Sequence, residues 1–384
     1  MNTIITDKIV FGGDCIGKID GKTVFVSGAL PGETVEIKII TQKKDYDKAR
    51  VVHIVKPSKH RIIPPCPLYG VCGGCNLQFA SDDYQKVLRQ SIMQDACDRA
   101  FYNSKTAIPK IEIIEIIDGK SLGYRSRFQF FNGGLKKRGS SEVVPLLDCP
   151  IAVPEIRTYL ASKNKITIGK NYVFGDRRVH GTQKIFSTKT DTLCTVDIKD
   201  HNNIVQPISF DVRGFFQSNL ELLEKTLPYL IEGLEGNHLL DMYAGVGTLS
   251  AFAGQTFKTI TLVEHNKKAL SFAKTNLKHL TTLGKKVQTY PLSGDKWVKT
   301  VATNVFDAVL VDPPRSGIEK SVLNWFCQNN IKQVRYLSCD PVTFARDLKK
   351  MCQNGYSIKR LMMLDFYPQT SHIESLAWLE NEKK

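Results

Sequence analysis

The chain lacks any apolar run long enough to cross a bilayer, and its first ten residues, MNTIITDKIV, lack the apolar core of a signal peptide. We find no internal repeat and no low-complexity segment among its 384 residues. The hydrophobic fraction of 42% argues against extensive disorder. These features argue against a membrane protein, and we expect a soluble cytoplasmic protein with two or three domains.

Acidic residues are also in short supply, because 38 Asp and Glu oppose 53 Lys and Arg and leave a net charge of +15. Such a balance suits a partner rich in phosphate, since basic side chains that neutralise phosphates release counterions. A basic protein without such a partner is the alternative. No basic amphipathic helix stands out, so the composition disfavours a membrane surface as the partner.

Changes in pattern along the chain divide it into three domains. Residues 1–57 form short alternating runs separated by glycines, which predicts an OB-like, five-stranded β-barrel of the kind that binds oligonucleotides. Residues 58–212 predict a mainly β central domain, with a helix at about 84–101 that could pack on the last domain. Residues 213–384 alternate apolar runs with helical patterns, which predicts a Rossmann-like, mainly parallel α/β sheet.

Four apolar runs of the last domain end in polar residues. The runs HLLDM, TITLVE, FDAVLVD and QVRYLS are followed or closed by Asp241, Glu264, Asp312 and the pair Ser338-Cys339. The carboxyl ends of parallel strands share one edge of an open sheet, and ligands bind there. A single acid after a strand is often only a helix cap, but four matched positions predict a shared site.

The turn DMYAGVGTLS after the first of these runs suggests the ligand of that site. Gly245 and Gly247 allow a ligand to approach the backbone, although the third glycine of the dinucleotide fingerprint is missing. No Walker lysine follows, so a P-loop is disfavoured. Glu264 could accept hydrogen bonds from both hydroxyls of a ribose. Together these features favour an adenosyl cofactor without a pyrophosphate.

A candidate nucleophile and a candidate acid lie in the last fifty residues. Cys339 precedes a helix predicted at 341–350, whose N-terminus is expected to lower the pKa of the thiol. The alternative is a small buried cysteine, but Asp312 and Arg315 of the run VDPPRSG point to the same edge of the sheet. Glu374 lies in an alternating strand pattern, where an acid usually faces solvent.

Cysteines are concentrated in the central domain. The run CPLYGVCGGC places Cys66, Cys72 and Cys75 at C-x5-C-x2-C spacing, and Cys149 supplies a fourth thiol. Four thiolates can bind zinc or an iron–sulfur cluster. Zinc ribbons usually pair two C-x2-C knuckles and this chain has one, while the glycines after Cys72 leave room for a cluster. We interpret the other cysteines away from the strand ends as ordinary thiols.

Several of these stretches together are similar to the motifs of the RNA uracil-C5 methyltransferases. They are LLDMYAGVGTLS, VDPPRSG, YLSCDPVTFARDL, YPQTSHIESLAWL and FFQSN at 215–219. The first domain resembles a TRAM domain, the small RNA-binding barrel that many members carry. The resemblance implies formation of 5-methyluridine in RNA from S-adenosylmethionine (SAM), with a flipped base.

The resemblance also implies roles for single residues. The Cys339 thiolate adds to carbon 6 of uracil, carbon 5 takes the methyl group, and Glu374 removes the proton from carbon 5 before the thiolate is expelled. Gln217, Tyr243, Glu264 and Asp312 contact SAM. The four cysteines of the central domain hold a [4Fe-4S] cluster, which we favour over zinc. The role of this cluster is structural or in RNA contact.

The substrate and the activity have alternatives. The TRAM domain and the cysteines resemble the branch that modifies large-subunit rRNA, so we favour 23S rRNA over tRNA and expect a monomer. A catalytically inactive iron–sulfur protein that binds RNA is the second alternative. An amino-group methyltransferase is disfavoured, because such enzymes have an aromatic residue where this chain has Arg315.

Overall fold

The computed structural model describes residues 2–102, 114–162, 166–301, 305–329 and 331–382. Across these ranges, every helix is too short or too polar to span a bilayer. Three regions follow one another along the chain: a β-barrel, a mainly β central region and a region built on a large α/β sheet. The mainly β character of the central region and the α/β class of the last one confirm the predictions.

The first region is a six-stranded sheet in the order β1-β5-β6-β4-β3-β2. Because β1 and β2 lie at opposite edges and are joined by only Thr6 and Asp7, the sheet must curl until its edges meet. The predicted barrel is thus confirmed with six strands rather than five: between β1 and β2 the backbone changes partner, since the Thr6 amide donates to Glu33 O at 3.0 Å and the Asp7 amide to Ile16 O at 2.7 Å. The strands are β1 (Asn2–Ile5), β2 (Lys8–Ile9), β3 (Cys15–Ile19), β4 (Lys22–Ser27), β5 (Thr34–Gln42) and β6 (Tyr46–Lys56).

Two elements that follow the barrel in sequence belong spatially to the last region. The helix α1 (Asp82–Phe101) buries Leu88, Ile92 and Met93 against the C-terminal sheet and its helices. The strand β7 (Glu115–Ile117) adds to the edge of that sheet. The run IEIIEII at 111–117 has a pattern typical of a strand, and its first three residues lie outside the described residues.

The central region combines a five-stranded antiparallel sheet with a separate hairpin. The sheet order is β10-β9-β8-β11-β12, and β13 pairs with β14. The aromatic side chains of Phe128 and Phe130 stack at 5.3 Å between ring centroids in its core. Its elements are β8 (Arg127–Phe131), β9 (Gly134–Lys136), β10 (Val143–Pro145), α2 (Pro154–Ala161), β11 (Lys170–Gly175), β12 (Ile185–Ser187), β13 (Leu193–Lys199) and β14 (Val205–Asp211).

The last region is an eight-stranded sheet in the order β17-β16-β15-β18-β19-β21-β20-β7. Strands β17, β16, β15, β18 and β19 are parallel, whereas β21 is antiparallel to both of its neighbours. The elements are α3 (Leu220–Ile231), β15 (His238–Met242), α4 (Thr248–Ala253), β16 (Thr259–Val263), α5 (Lys267–Asn276), α6 (Lys278–Thr282), β17 (Lys286–Tyr290), α7 (Gly294–Val301), β18 (Ala308–Val311), α8 (Lys320–Gln328), β19 (Gln333–Ser338), α9 (Pro341–Cys352), β20 (Tyr356–Leu364) and β21 (Glu374–Asn381). The carboxyl ends of four neighbouring strands therefore meet at one edge.

Candidate active site

A single cleft of about 1240 Å³ opens at the carboxyl ends of β16, β15, β18 and β19. Of the side chains that the sequence predicted at these strand ends, Asp241, Glu264, Asp312 and Cys339 line it, whereas Ser338 is buried beside it. Gln217, which precedes α3, and Glu374, at the start of β21, also line it. The predicted residues in the cleft are Gln217, Tyr243, Gly245, Glu264, Asp312, Cys339 and Glu374.

The turn between β15 and α4 is shaped for a ligand that lies against the backbone. Gly245 has a φ of +55°, and no atom lies within 4 Å of the position that a side chain there would take. Its amide donates to Glu264 Oε2 at 3.0 Å, and the amide of Asn266 donates to Glu264 Oε1 at 2.7 Å. Two backbone donors thus fix the Glu264 carboxylate, and its remaining lone pairs can accept hydroxyl groups.

Two further predicted positions of this cleft are held by internal hydrogen bonds. Tyr243 adopts a φ of +64°, and its hydroxyl lies between the amide of Glu319 at 3.3 Å and the Glu319 carboxylate at 3.4 Å. Asp241 is buried and accepts a hydrogen bond from the Ser250 hydroxyl at 2.6 Å. Burial raises the pKa of Asp241 to about 7 and that of Asp312 to about 6. Asp241 therefore stabilises the turn.

Cys339 lies at the corner between β19 and α9, but its thiol is not activated as the sequence predicted. Burial, and then the carboxylates of Glu374 and Asp312, raise the pKa of Cys339 from 9.0 to about 11, whereas Arg315 lowers it. The helix N-terminus does not compensate, because Asp340 already accepts hydrogen bonds from the first free amides of α9. The prediction of a lowered pKa is therefore wrong for this state of the cleft.

Glu374 is the first residue of β21, and its carboxyl group faces the cleft. Burial and the Asp312 carboxylate raise its pKa well above the usual value, and Arg315 lowers it. Glu374 also contributes to the raised pKa of Cys339, so the acid and the thiol interact electrostatically. The expectation of a solvent-facing acid is wrong. A carboxylate with high proton affinity beside a thiol suits a general base.

The cleft also has basic and aromatic side chains to which the sequence analysis assigned no role. Arg125 and Arg127 reach it from the central region, and Arg127 donates to the Gly214 carbonyl at 2.7 Å. Phe215 is 69% exposed at its wall. For the two arginines, the alternation of arginine and aromatic residues in YRSRFQFF was the signal that could have indicated them, whereas Phe215 belongs to the FFQSN motif. These residues give the cleft mouth positive charge and an aromatic surface.

The four central cysteines are neighbours of one another and do not line the cleft. Burial and, after it, the neighbouring thiols of Cys75, Cys66 and Cys72 raise the pKa of Cys149 to about 12. Cys72 Sγ accepts a hydrogen bond from the Gly74 amide at 3.4 Å. Within the described ranges, however, no group of three or more His, Cys, Asp or Glu side chains has an arrangement that could hold a metal ion. The thiols are neighbours without ligand geometry.

Comparisons with known proteins agree on one family. Residues 160–382 match the family described as tRNA (Uracil-5-)-methyltransferase, and residues 3–52 match the TRAM domain. An uncharacterized RNA methyltransferase of Treponema denticola is 41% identical over 97% of both chains. The 23S rRNA (uracil(1939)-C(5))-methyltransferase RlmD of Vibrio parahaemolyticus is 28% identical over 96% of this chain and 93% of that protein.

One solved structure has the same fold along the whole chain. It is the tRNA (uracil-54, C5)-methyltransferase of Pyrococcus abyssi in complex with S-adenosyl-L-homocysteine. The TM-score is 0.72 with 19% sequence identity, over 98% of this chain and 100% of the other. At this identity the likeness shows a common fold.

Proposed function

This chain belongs to the tRNA (uracil-5-)-methyltransferase family and is a SAM-dependent RNA uracil-C5 methyltransferase, and from that premise we propose that it forms 5-methyluridine in 23S rRNA through a covalent adduct on Cys339. The single observation that carries the proposal is the convergence of Cys339 and Glu374, from separate strands, on one cleft. A relative named as a 23S rRNA methyltransferase matches 96% of this chain, which supports 23S rRNA as the substrate.

The chemistry assigns different roles to the two residues. The Cys339 sulfur bonds to carbon 6 of uracil, and the electron pair of the 5,6 double bond makes carbon 5 nucleophilic. After carbon 5 has gained a methyl group, Glu374 takes its proton, the double bond re-forms and the carbon–sulfur bond breaks. The raised pKa of Glu374 suits this proton transfer. The raised pKa of Cys339 means that its proton must leave before the first step.

We propose that the methyl donor occupies the part of the cleft around the Gly245 turn. Glu264 would accept the ribose hydroxyls, while Gln217, Tyr243 and Asp312 complete the site, which the open backbone at Gly245 supports. When bound, the cofactor supplies the methyl group and a positive charge on its sulfonium. Replacing Glu264 by Gln should weaken SAM binding about tenfold in calorimetry, because one charged acceptor is lost.

The proposal is tested by nucleoside mass spectrometry after incubation of the protein and SAM with unmodified 23S rRNA or with bulk tRNA. We expect 5-methyluridine in the rRNA alone. Signal in tRNA alone would keep the reaction and overturn the substrate, an outcome that the fold of the Pyrococcus abyssi tRNA enzyme makes worth testing. Signal in neither, with SAM shown to bind, would favour an inactive RNA-binding protein.

We also propose that Cys66, Cys72, Cys75 and Cys149 hold a [4Fe-4S] cluster. The chemistry of the four thiols supports the proposal, since they influence one another and two pack against the core of the central region, and binding would have to draw them into ligand geometry. The cluster would cross-link the loop at 66–75 to the central sheet and leave the chemistry to the cleft. Anaerobic purification should give about four iron and four sulfide per chain. Stoichiometric zinc would favour the alternative metal.

We propose that the enzyme acts as a monomer, because the cleft of one chain contains every residue assigned to the reaction, and that it is cytoplasmic, because its substrate is RNA. Light scattering coupled to size exclusion is expected to give a mass near 43.2 kDa for the free protein. A mass of twice that value at working concentrations would contradict the monomer.

A further inference from the structure

The segment 365–373, which connects β20 to β21 and ends directly before Glu374, is held from outside its own sheet. Three of its carbonyl groups accept hydrogen bonds from residues that lie more than 240 positions earlier in the chain. The donors are Tyr124 Oη to Pro368 O at 2.9 Å, Arg89 Nη1 to Thr370 O at 2.9 Å, and the amides of Asn76 and Leu77 to Gln369 O at 3.1 Å each. The first third of the chain therefore determines the path of the 365–373 segment.

Gln369, in the middle of this segment, has a left-handed backbone and a buried side chain. Its φ is +69° and it is 2% exposed. Gln85 Oε1, on α1, accepts from the Gln369 amide at 2.8 Å, and Gln85 Nε2 donates to Gln369 Oε1 at 3.0 Å. Gln369 Nε2 donates to Asp82 at 2.8 Å. A long side chain in this conformation is strained, and it persists only where the surroundings impose it.

Asn76 fixes the part of the segment nearest to Glu374. Its Nδ2 donates to the Ser371 hydroxyl at 2.9 Å, and its Oδ1 accepts from the Ser371 amide at 2.8 Å. Ser371 is 5% exposed and lies three residues before Glu374. Asn76 directly follows Cys75. The cysteine loop (residues 66–75) and the 365–373 segment are therefore connected through Asn76.

The beginning of the segment is anchored by a buried ion pair. Arg89 Nη2 lies 2.7 Å from Asp365 Oδ1, and the two side chains are 1% and 3% exposed. Breaking this pair would leave a charge buried without a partner and would destabilise the whole protein. Arg89 is therefore a poor choice for a test of function, whereas Asn76 and Gln369 are uncharged side chains, and Asp82, which accepts from Gln369, is exposed.

We propose that Asn76 and Gln369 are positioning residues for Glu374, so that the cysteine loop and α1 set the geometry of proton removal from carbon 5. The inference rests on the proposed function. Cys339 is held independently by β19 and the cap of α9, so a loosened 365–373 segment affects the base and not the nucleophile. A misplacement of about 1 Å can slow a catalytic step by up to ~100-fold.

The test separates the two chemical steps in single turnovers on RNA that carries tritium at carbon 5 of uridine. Adduct formation is followed as SDS-stable protein–RNA complex, and proton removal as tritium release. For Asn76→Ala we expect adduct formation within about twofold of wild type and tritium release slowed about tenfold or more. The control is Asn132→Ala, which removes a similar hydrogen bond, to the Gly169 amide at 2.8 Å, in a loop of the central sheet.

A second variant keeps the inference falsifiable if Asn76→Ala unfolds. Gln369→Gly relieves the strain of the left-handed backbone while removing the side-chain contacts, so thermal stability should change little and tritium release should slow. Its control is Asn132→Gly at a residue with a φ of +45°. Release at the wild-type rate in both test variants, or equal slowing of both steps, would overturn the inference. If the wild type itself forms neither adduct nor 5-methyluridine, the proposed function fails and the inference falls with it.

Discussion

The molecule holds two thiol sites whose surroundings differ in kind. Cys339 stands alone at a strand end, and its nearest charged neighbours are the carboxylates of Glu374 and Asp312 and the guanidinium of Arg315. Cys75 and Cys149 of the central group, by contrast, have other thiols among their neighbours. Burial is the largest cause of the raised pKa in both places.

The difference teaches that burial alone does not define the role of a cysteine. Cys339 and Cys75 both have a pKa of about 11. Only Cys339 has a general-base candidate beside it and an open cleft in front of it. Cys75 instead has the thiols of Cys72 and Cys66 near enough to raise its pKa, and it raises that of Cys149 in turn. The neighbours therefore separate the proposed nucleophile from the proposed ligand.

The largest effect is expected from removing the single thiol. Cys339→Ala should reduce methyl transfer to background, because carbon 5 is not activated without the bond to carbon 6. RNA binding should survive, since the basic residues of the barrel and of the cleft mouth are unchanged. Transfer of labelled methyl groups and filter binding measure the two properties, with Cys352→Ala as the control at a thiol far from the cleft. Normal methylation by Cys339→Ala would disprove the nucleophile.

The next largest effect concerns the acid beside that thiol. Glu374→Gln should allow adduct formation but slow turnover by roughly 10²–10⁴-fold, because the methylated adduct keeps its proton at carbon 5. Denaturing gels should then show protein–RNA complex that persists for hours. A variant that turns over normally, or that forms no complex at all, would assign the proton transfer to another group.

A smaller effect on chemistry is expected at the other thiol site. Cys66→Ser should abolish bound iron and lower the melting temperature, yet change the rate of adduct formation only a few-fold, because this thiol lies outside the cleft. Iron analysis, thermal unfolding and gel assays on the same preparation check the three statements. Loss of adduct formation in a protein that is still folded would mean that the two sites are not separate.

The smallest effect is a shift in thiol titration. With a pKa of about 11 instead of 9.0, Cys339 of the cofactor-free protein should react with iodoacetamide at pH 8 about tenfold more slowly than in the unfolded chain. The rate should rise with pH up to about 11. Asp312→Asn removes a negative charge and should lower the midpoint for Cys339 while leaving Cys72 unchanged. An equal shift at both thiols would contradict the assigned cause.

The cleft could be predicted from the sequence where parallel strands carry it. Asp241, Glu264, Asp312 and Cys339 each follow an apolar run, and parallel topology alone brings such positions to one edge. Glu374 could not be placed this way, because β21 is antiparallel to its neighbours β19 and β20, so the beginning of this strand and not its end lies at the edge with the cleft. Its assignment came from motif resemblance.

Other features depend on contacts that no local pattern contains. The raised pKa of Cys339 depends on its burial and then on two carboxylates from other strands. The sixth strand of the barrel arises where the backbone changes partner, from Glu33 at the Thr6 amide to Ile16 at the Asp7 amide. The arginines of the cleft mouth come from the central region. In each case the partner is distant in the chain, and the residue itself is ordinary.

The place of β21 in the sheet has a consequence for the time at which the enzyme becomes active during its own synthesis. Domains fold as they leave the ribosome, N-terminal first, so the barrel can form while later parts are still being made. The interior position between β19 and β20, however, is filled by residues 374–381. A nascent chain that already displays Cys339 therefore still lacks Glu374, the proposed base, and the two become available together only when β21 has inserted.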